Sequence, residues 1–157
     1  MKGLLNNQFN LAVAMLFVGA GCAMDMSSLT PEARTAIETK FPDGKVQEVE
    51  RELSGLYEVE LTQGNKELEV KLHRDGTLVE IETKIPVGDL PKPVADAVAK
   101  KAKDNKPAEA EKVEVLATVT FLGVVKKLDK PDLYYEVEWH ENGFEREIKV
   151  NPDGTIR

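Results

Sequence analysis

One stretch of the 157-residue chain occurs twice, and this constrains the fold more than any local pattern. Residues 56–78 (LYEVELTQGNKELEVKLHRDGTL) align without a gap to residues 134–156 (YYEVEWHENGFEREIKVNPDGTI), and ten of the 23 positions are identical. The identities include Tyr57-Glu58-Val59-Glu60 against Tyr135-Glu136-Val137-Glu138, Lys71 against Lys149, and Asp75-Gly76-Thr77 against Asp153-Gly154-Thr155. A repeat of this kind means that one supersecondary unit is used twice. It says nothing yet about a ligand.

The unit can be read from its periodicity. Thr30-Pro31 is a helix start, with Thr as N-cap and Pro at the first helical position. Ala33, Ile37 and Phe41 then fall on one helical stripe, and Pro42-Asp43-Gly44 stops the helix. In the second copy Leu90-Pro91-Lys92-Pro93 opens a helix, Val94, Ala97, Val98 and Ala102 repeat the stripe, and Asn105-Lys106-Pro107 ends it. Val46 and Val49 mark a first, irregular strand. Alternation then predicts strands around Tyr57–Leu61, Leu68–Leu72 and Val79–Ile81, apolar on one face and charged on the other. Gly64-Asn65 and Asp75-Gly76 sit where tight hairpin turns belong, and Asn142-Gly143 and Asp153-Gly154 both suit a type I′ turn. The expected fold is α+β: two helix-plus-antiparallel-meander repeats, with the helices packed on one face of a seven- or eight-stranded antiparallel sheet. The expected division is a signal segment 1–21, a tether 22–28, and repeats 29–84 and 85–157.

The copies differ in one large way. The first hairpin of the second copy carries about 11 extra residues around LGVVKKLDKPDL, 122–133. The expectation is a longer hairpin continuing the 113–121 strand, with Asp129-Lys130-Pro131-Asp132 as its turn. Asp129, Lys130 and Asp132 are therefore candidate loop contacts.

The turns also fix a register, and the register builds a charged face. It predicts rows Leu56–His73–Leu78, Glu58–Lys71–Glu80 and Glu60–Glu69–Glu82 across the first copy. The second copy adds Tyr134–Asn151–Ile156, Glu136–Lys149 and Glu138–Glu147. Like charges side by side in water cost a few tenths of a kcal/mol, roughly, so a solvated face needs no functional excuse. The functional reading is a docking face for a basic partner, or a weak Ca²⁺ site built from clustered carboxylates. Its candidate residues are Glu58, Glu60, Glu69, Lys71, Glu80, Glu82, Tyr134, Glu136, Glu138 and Glu147. The apolar row at its edge is open to docking, or is covered by the insertion or a helix end. Trp139 has core parity, and so does Arg146 opposite it, near a hairpin tip.

Other chemistry is not visible. His73 aligns with Asn151 and His140 with Thr62, so neither has a ligand partner at transition-metal spacing. No Gly-rich phosphate loop, nucleophile elbow or metalloprotease helix motif occurs, which points away from an enzyme and from a cofactor. The N-terminus carries Lys2 and a short apolar core, 11–21, ending at Cys22, the only cysteine. The run VGAGC resembles a bacterial lipobox, which implies export, acylation of Cys22 and a membrane-anchored envelope lipoprotein. Loss of residues 1–21, whose only charge is Lys2, takes the net charge from −7 to −8. That balance disfavours nucleic acid and anionic membrane surfaces as partners, and favours basic partners or cations.

The helix, FPDGKVQEVERE, YEVEL and ELEVKLHRDGT, in that order and twice, resemble the PepSY-like family, which includes β-lactamase-inhibitor-like domains of bacterial envelope proteins. The match covers about residues 29–157. It implies a binding or inhibitory module with an unidentified envelope or secreted protein as partner. The tandem arrangement is also similar to two-repeat β-lactamase inhibitors, whose disulfides this chain lacks.

Overall fold

The structure, a computed structural model, describes residues 25–52, 54–120 and 122–157. The expected signal segment and Cys22 lie outside the described residues.

Helix α1 spans Pro31–Lys40 and starts as the capping chemistry requires. The Thr30 hydroxyl accepts the Ala33 N–H at 3.3 Å, and Pro31 occupies the first turn. Helix α2 spans Lys92–Ala102 with Pro91 before it and no side-chain cap. Lys103 leaves that helix at a φ of 55°. Pro107 does not terminate the helix. It is the first residue of a strand, where its missing N–H removes no interior ladder bond.

The strands are β1 (Lys45–Arg51), β2 (Tyr57–Gln63), β3 (Lys66–Leu72), β4 (Leu78–Lys84), β5 (Pro107–Val119), β6 (Val125–Glu141) and β7 (Phe144–Val150). They form one seven-stranded antiparallel sheet in sequence order. An eighth strand is reduced to a single bridge, Val150 to Ile156. The irregular first strand is as expected, with a register shift between Val46 and Glu48.

Two apolar clusters share the sheet. Ala33 and Ile37 of α1, with Phe41 just after it, meet Val49, Val59, Leu61, Val70 and Ile81. Val94, Val98 and Ala102 of α2 meet Ala110, Tyr135, Val137, Trp139, Ile148 and Val150. Each fully buried aliphatic side chain here contributes about 1.5–3 kcal/mol. Trp139 lies in the second cluster as expected. Arg146 does sit opposite Trp139, but it is exposed and pairs with Glu141 at 3.3 Å.

The Asp-Gly turns differ from expectation. A type I′ turn needs positive φ at both central residues, and only Gly76 and Gly154 have it. Both loops are longer: His73 N–H bonds the Thr77 carbonyl, Gly76 N–H the His73 carbonyl, and Asn151, Thr155 and Gly154 repeat the pattern. The Asp75 carboxylate accepts the Thr77 N–H, and Asp153 the Thr155 N–H. Asn142-Gly143 does have positive φ at both positions. Each Asp-Gly loop packs on a helix start. A Cβ on Gly76 would lie 2.7 Å from the Glu32 carbonyl oxygen, and one on Gly154 2.7 Å from that of Pro93.

The longer loop shifts the register beside it. Leu72 pairs with Leu78, not Val79, and the ladder recovers at Lys71–Glu80 through a bulge. Leu78 therefore packs with the α1 cluster, while Val79 joins Leu56 and Ala117 in a third cluster. The expected row Leu56–His73–Leu78 is thus replaced by Leu56, Val79 and Ala117. Val119 of β5 and Val125 of β6 pack against it.

The insertion is also differently folded. Strands β5 and β6 turn at 120–124, where Thr120 N–H bonds the Val124 carbonyl and Gly123 N–H the Thr120 carbonyl. Residues 129–132 are not the turn. They lie inside β6, where pairing jumps from Val115–Asp132 to Ala117–Lys127. The Asp-Lys-Pro-Asp signal marks a strand bulge, because a Pro without an N–H is accommodated where ladder pairing is interrupted.

Candidate functional site

The helices leave the other face of the sheet without a partner element among the described residues. The expected charged rows are there, but the expected Tyr134–Asn151–Ile156 row is not, because Ile156 bridges Val150 after the longer Asp153-Gly154 loop. Glu58 pairs with Lys71 and Lys71 with Glu80, while Glu60 pairs with Glu69 and Glu69 with Glu82. The rows run on across the middle of the sheet. Glu82 continues to Val113 and Tyr134, and Glu80 to Val115 and Asp132. A third row, which the sequence reading did not assemble, is Lys84–Glu111–Glu136–Lys149. Glu138 and Glu147 pair beyond it, toward the β6–β7 turn.

This face is not the freely solvated surface expected. Glu82 is only 9% exposed, and Val113 and Tyr134 beside it are buried. Strands about 4.8 Å apart place long side chains against one another, so neighbouring stems exclude water. Two carboxylates about 4.8 Å apart repel by about 1 kcal/mol in water, but by about 3.5 kcal/mol at an effective dielectric of about 20. The second figure is large enough to force a response, and the site shows two.

The first response is lysine. Lys71 Nζ lies 2.8 Å from Glu82, 3.0 Å from Glu69 and 3.5 Å from Glu80. Burial opposes its charge, but the Glu82 hydrogen bond and the charges of Glu69 and Glu82 hold its affinity for the proton above the usual lysine value. Lys149 Nζ lies 2.6 Å from Glu136 and 3.4 Å from Glu147, and 5.6 Å from the centre of the Tyr134 ring. The second response is proton retention. Burial, then repulsion from Glu69, pushes Glu58 up to about 8. Burial, then repulsion from Glu82, pushes Glu111 up to about 8. Burial also raises Glu60, Glu69, Glu80 and Glu138 above the ordinary glutamate value. The Tyr134 phenol, buried and facing Glu80 at 3.5 Å, is raised too.

Glu82, Glu111 and Glu136 form the tightest knot, each offering a carboxylate oxygen within 4.8 Å of the others. Lys71 and Lys149 hold the two outer members. Lys84, directly across from Glu111, ion-pairs with Glu109 instead. Glu111 was not singled out from the sequence. Its signal was available: it follows the Glu82 row across β4–β5, but that pairing joins the two repeats and no hairpin turn announces it.

The candidate loop contacts separate. Asp129 and Lys130 are exposed in the β6 bulge. Asp132 binds Arg157 through both carboxylate oxygens, at 2.7 and 2.8 Å, and the guanidinium stacks 4.3 Å from the Tyr134 ring centre. Asp132 is therefore part of the edge of the acidic face. Cys22 lies outside the described residues.

The chain is thus α+β and mostly sheet, two helices with a seven-stranded antiparallel sheet that carries a row-by-row array of partly buried carboxylates. The family model described as "Putative beta-lactamase-inhibitor-like, PepSY-like" matches residues 21–80 and 55–157. The chain is a member of that PepSY-like family. No curated protein matches it. Among solved structures, it resembles a "putative periplasmic" protein from Bacteroides eggerthii DSM 20697, with a TM-score of 0.66 at 12% identity over 82% of this chain and 85% of that one. A BLIP-like protein from Bacteroides fragilis NCTC 9343 aligns with a TM-score of 0.63 at 13% identity over 82% and 83% of the two chains. A DUF2874 family protein from Bacteroides uniformis ATCC 8492 gives 0.65 at 15% identity over 80% and 84%. At these identities the likeness is one of fold.

Proposed function

We propose that the chain is a non-catalytic envelope binding module that docks a protein through its acidic sheet face. In this reading residues 29–84 and 85–157 are two PepSY-like units whose helices share one side of the sheet and free the other. The observation that carries the reading is the face itself: carboxylates crowded and half-buried next to buried Tyr134, with their proton affinity raised by burial and mutual repulsion, an arrangement that a basic partner relieves. The family's inhibitor-like description, the BLIP-like neighbour and the neighbour called periplasmic support inhibition of an exported protein as the form the docking takes. Acylation of Cys22 would tether the module to a membrane of the envelope.

A photo-crosslinker at Glu60, compared with one at Glu38 on α1, tests the reading in the native envelope. A single adduct from the sheet face, lost on Glu60→Lys with Glu69→Lys, supports it. Equal labelling from both faces removes it. The alternative is a structural envelope lipoprotein whose face holds a cation weakly, and the Glu82–Glu111–Glu136 knot is what favours it. Titration with Ca²⁺ separates the two, because saturable uptake abolished by Glu111→Gln belongs only to the alternative.

A further inference from the structure

We infer that two copies of the chain associate reciprocally, the β5–β6 arm of each lying across the acidic sheet face of the other. The inference rests on the reading of that face as a docking surface, and names an occupant for it.

The arm is the most anomalous part of the fold. Strands β5 and β6 have 13 and 17 residues, while every other strand has seven. Pairing of β4 to β5 ends at Val115, and pairing of β7 to β6 ends at Tyr135. The pairs Ala117–Lys127, Thr118–Lys126 and Val119–Val125 therefore form a ribbon with no strand on either side. A two-stranded ribbon is marginal by itself in water. This one carries Leu122 and Val124 at its tip, 85% and 60% exposed. Ala117, Val119 and Val125 at its base pack on Leu56 and Val79 of the same chain, and the tip beyond them is bare.

Charge says what the arm fits. Lys126, Lys127 and Lys130 are exposed along it, on a chain of net charge −7. Of the two nearby acids, Asp132 is already held by Arg157. The arm is locally basic and apolar, while the sheet face is acidic with buried Tyr134 and Val113 among its carboxylates. A lipid surface is the poorer occupant for geometric reasons. The first described residues, Asp25 to Ser27, lie against Val46 and Gln47, at the end of the sheet marked by the Val46–Leu61 and Leu68–Thr83 pairs. The arm leaves from the other end, beyond the Lys71–Glu80 and Glu80–Val115 pairs. It points away from the tether. A reciprocal contact uses the same two patches on each copy, so it closes as a two-fold dimer and does not propagate.

Sedimentation equilibrium of the purified protein tests the inference. The expected result is a reversible dimer whose dissociation constant rises at least about tenfold between about 50 and about 500 mM salt, because the contact is electrostatic. Lys126→Glu with Lys127→Glu, at exposed positions, should give a monomer with an unchanged melting temperature. Glu60→Lys with Glu138→Lys should do the same, and mixing the two variants should restore a heterodimer, because both contacts are then complementary. A monomer at about 0.5 mM protein in low salt overturns the inference, since any contact useful at this size is populated there. So does a dimer that ignores the arm substitutions. A cyclised peptide of residues 117–127 separates the failures. If it binds the wild-type face while the protein stays monomeric, self-association is wrong and the face still docks basic segments. If neither occurs, both readings fall.

Discussion

Replacing Glu111 with Gln should stabilise the protein at alkaline pH and leave it unchanged in mild acid. In the unfolded chain this carboxyl titrates at the ordinary glutamate value, near 4.5, while in the fold burial and the neighbouring Glu82 push it up to about 8. Between those two values the folded state holds a proton that the unfolded state has lost. Stability therefore falls as pH rises through this window, and is flat above it. At about 1.4 kcal/mol per pH unit the full shift corresponds to roughly 5 kcal/mol. The side chain is only half-buried, and solvent screening reduces the expected loss to about 1–2 kcal/mol. For a domain of this size that is about 2–8 °C in melting temperature. Thermal melts by circular dichroism at about pH 5 and about pH 8.5, at fixed ionic strength, read the effect. The wild type should melt lower at the higher pH. Glu111→Gln should match it at the lower pH and exceed it at the higher one. The groups with depressed values, such as Asp75 at about 2, titrate below this window and do not mask the trend. A wild-type melting temperature that rises across the window, or a Gln variant no more stable than wild type at the higher pH, refutes the claim that Glu111 is desolvated among carboxylates.

Gly76→Ala should destabilise by about 1–3 kcal/mol in denaturant titration, since it adds a side chain at φ +82° and 2.7 Å from the Glu32 carbonyl oxygen. Leu61→Ala, at 1% exposure, should cost about 2–5 kcal/mol by the same measurement. Trp139→Phe should cost less than about 1.5 kcal/mol, because the indole N–H is buried without a partner and its removal offsets lost packing. Replacing residues 129–132 with Asn-Gly should disrupt β6 pairing and lower the melting temperature, whereas Asn-Gly in place of 122–123, next to the Thr120–Val124 turn bond, should leave it within a few degrees. Cys22→Ser should abolish membrane fractionation of the expressed protein. Continued membrane association of that variant would remove the lipid anchor from the proposal.

Much of the fold was legible because its signals are local. Thr30-Pro31 caps the first helix by a contact three residues long, and the stripe Ala33, Ile37, Phe41 is buried as its spacing requires. The Glu60–Glu69 pair follows from the tight Gly64-Asn65 turn, which sets register at short range, whereas Glu69–Glu82 keeps its expected pairing only because a bulge offsets the longer Asp75-Gly76 loop. Errors appeared where a local signal had two outcomes. Asp-Gly reads equally as a two-residue turn or as part of a longer loop, and the choice moved Leu78 and Val79 to opposite sides of the sheet. Asp-Lys-Pro-Asp reads equally as a turn or as a bulge, and the ladder from Val115 to Ala117 decided it.

The amino-acid sequence by itself determined the order of the helices and strands, the split of β2 and β3 into an apolar and a charged face, and the identity of most acidic residues on that face. These depend on neighbours within a few residues, which pattern records. Tertiary structure alone decided that the charged face is half-buried and that Glu111 sits between Glu82 and Glu136. It also decided that Asp132 is held by Arg157 across 25 residues. Those properties arise where β4 meets β5, where long side chains from several strands crowd out water, and where the chain end folds back on β6. No periodicity encodes such contacts, because the repulsion that perturbs a carboxylate depends on its distance in space and on the water left around it.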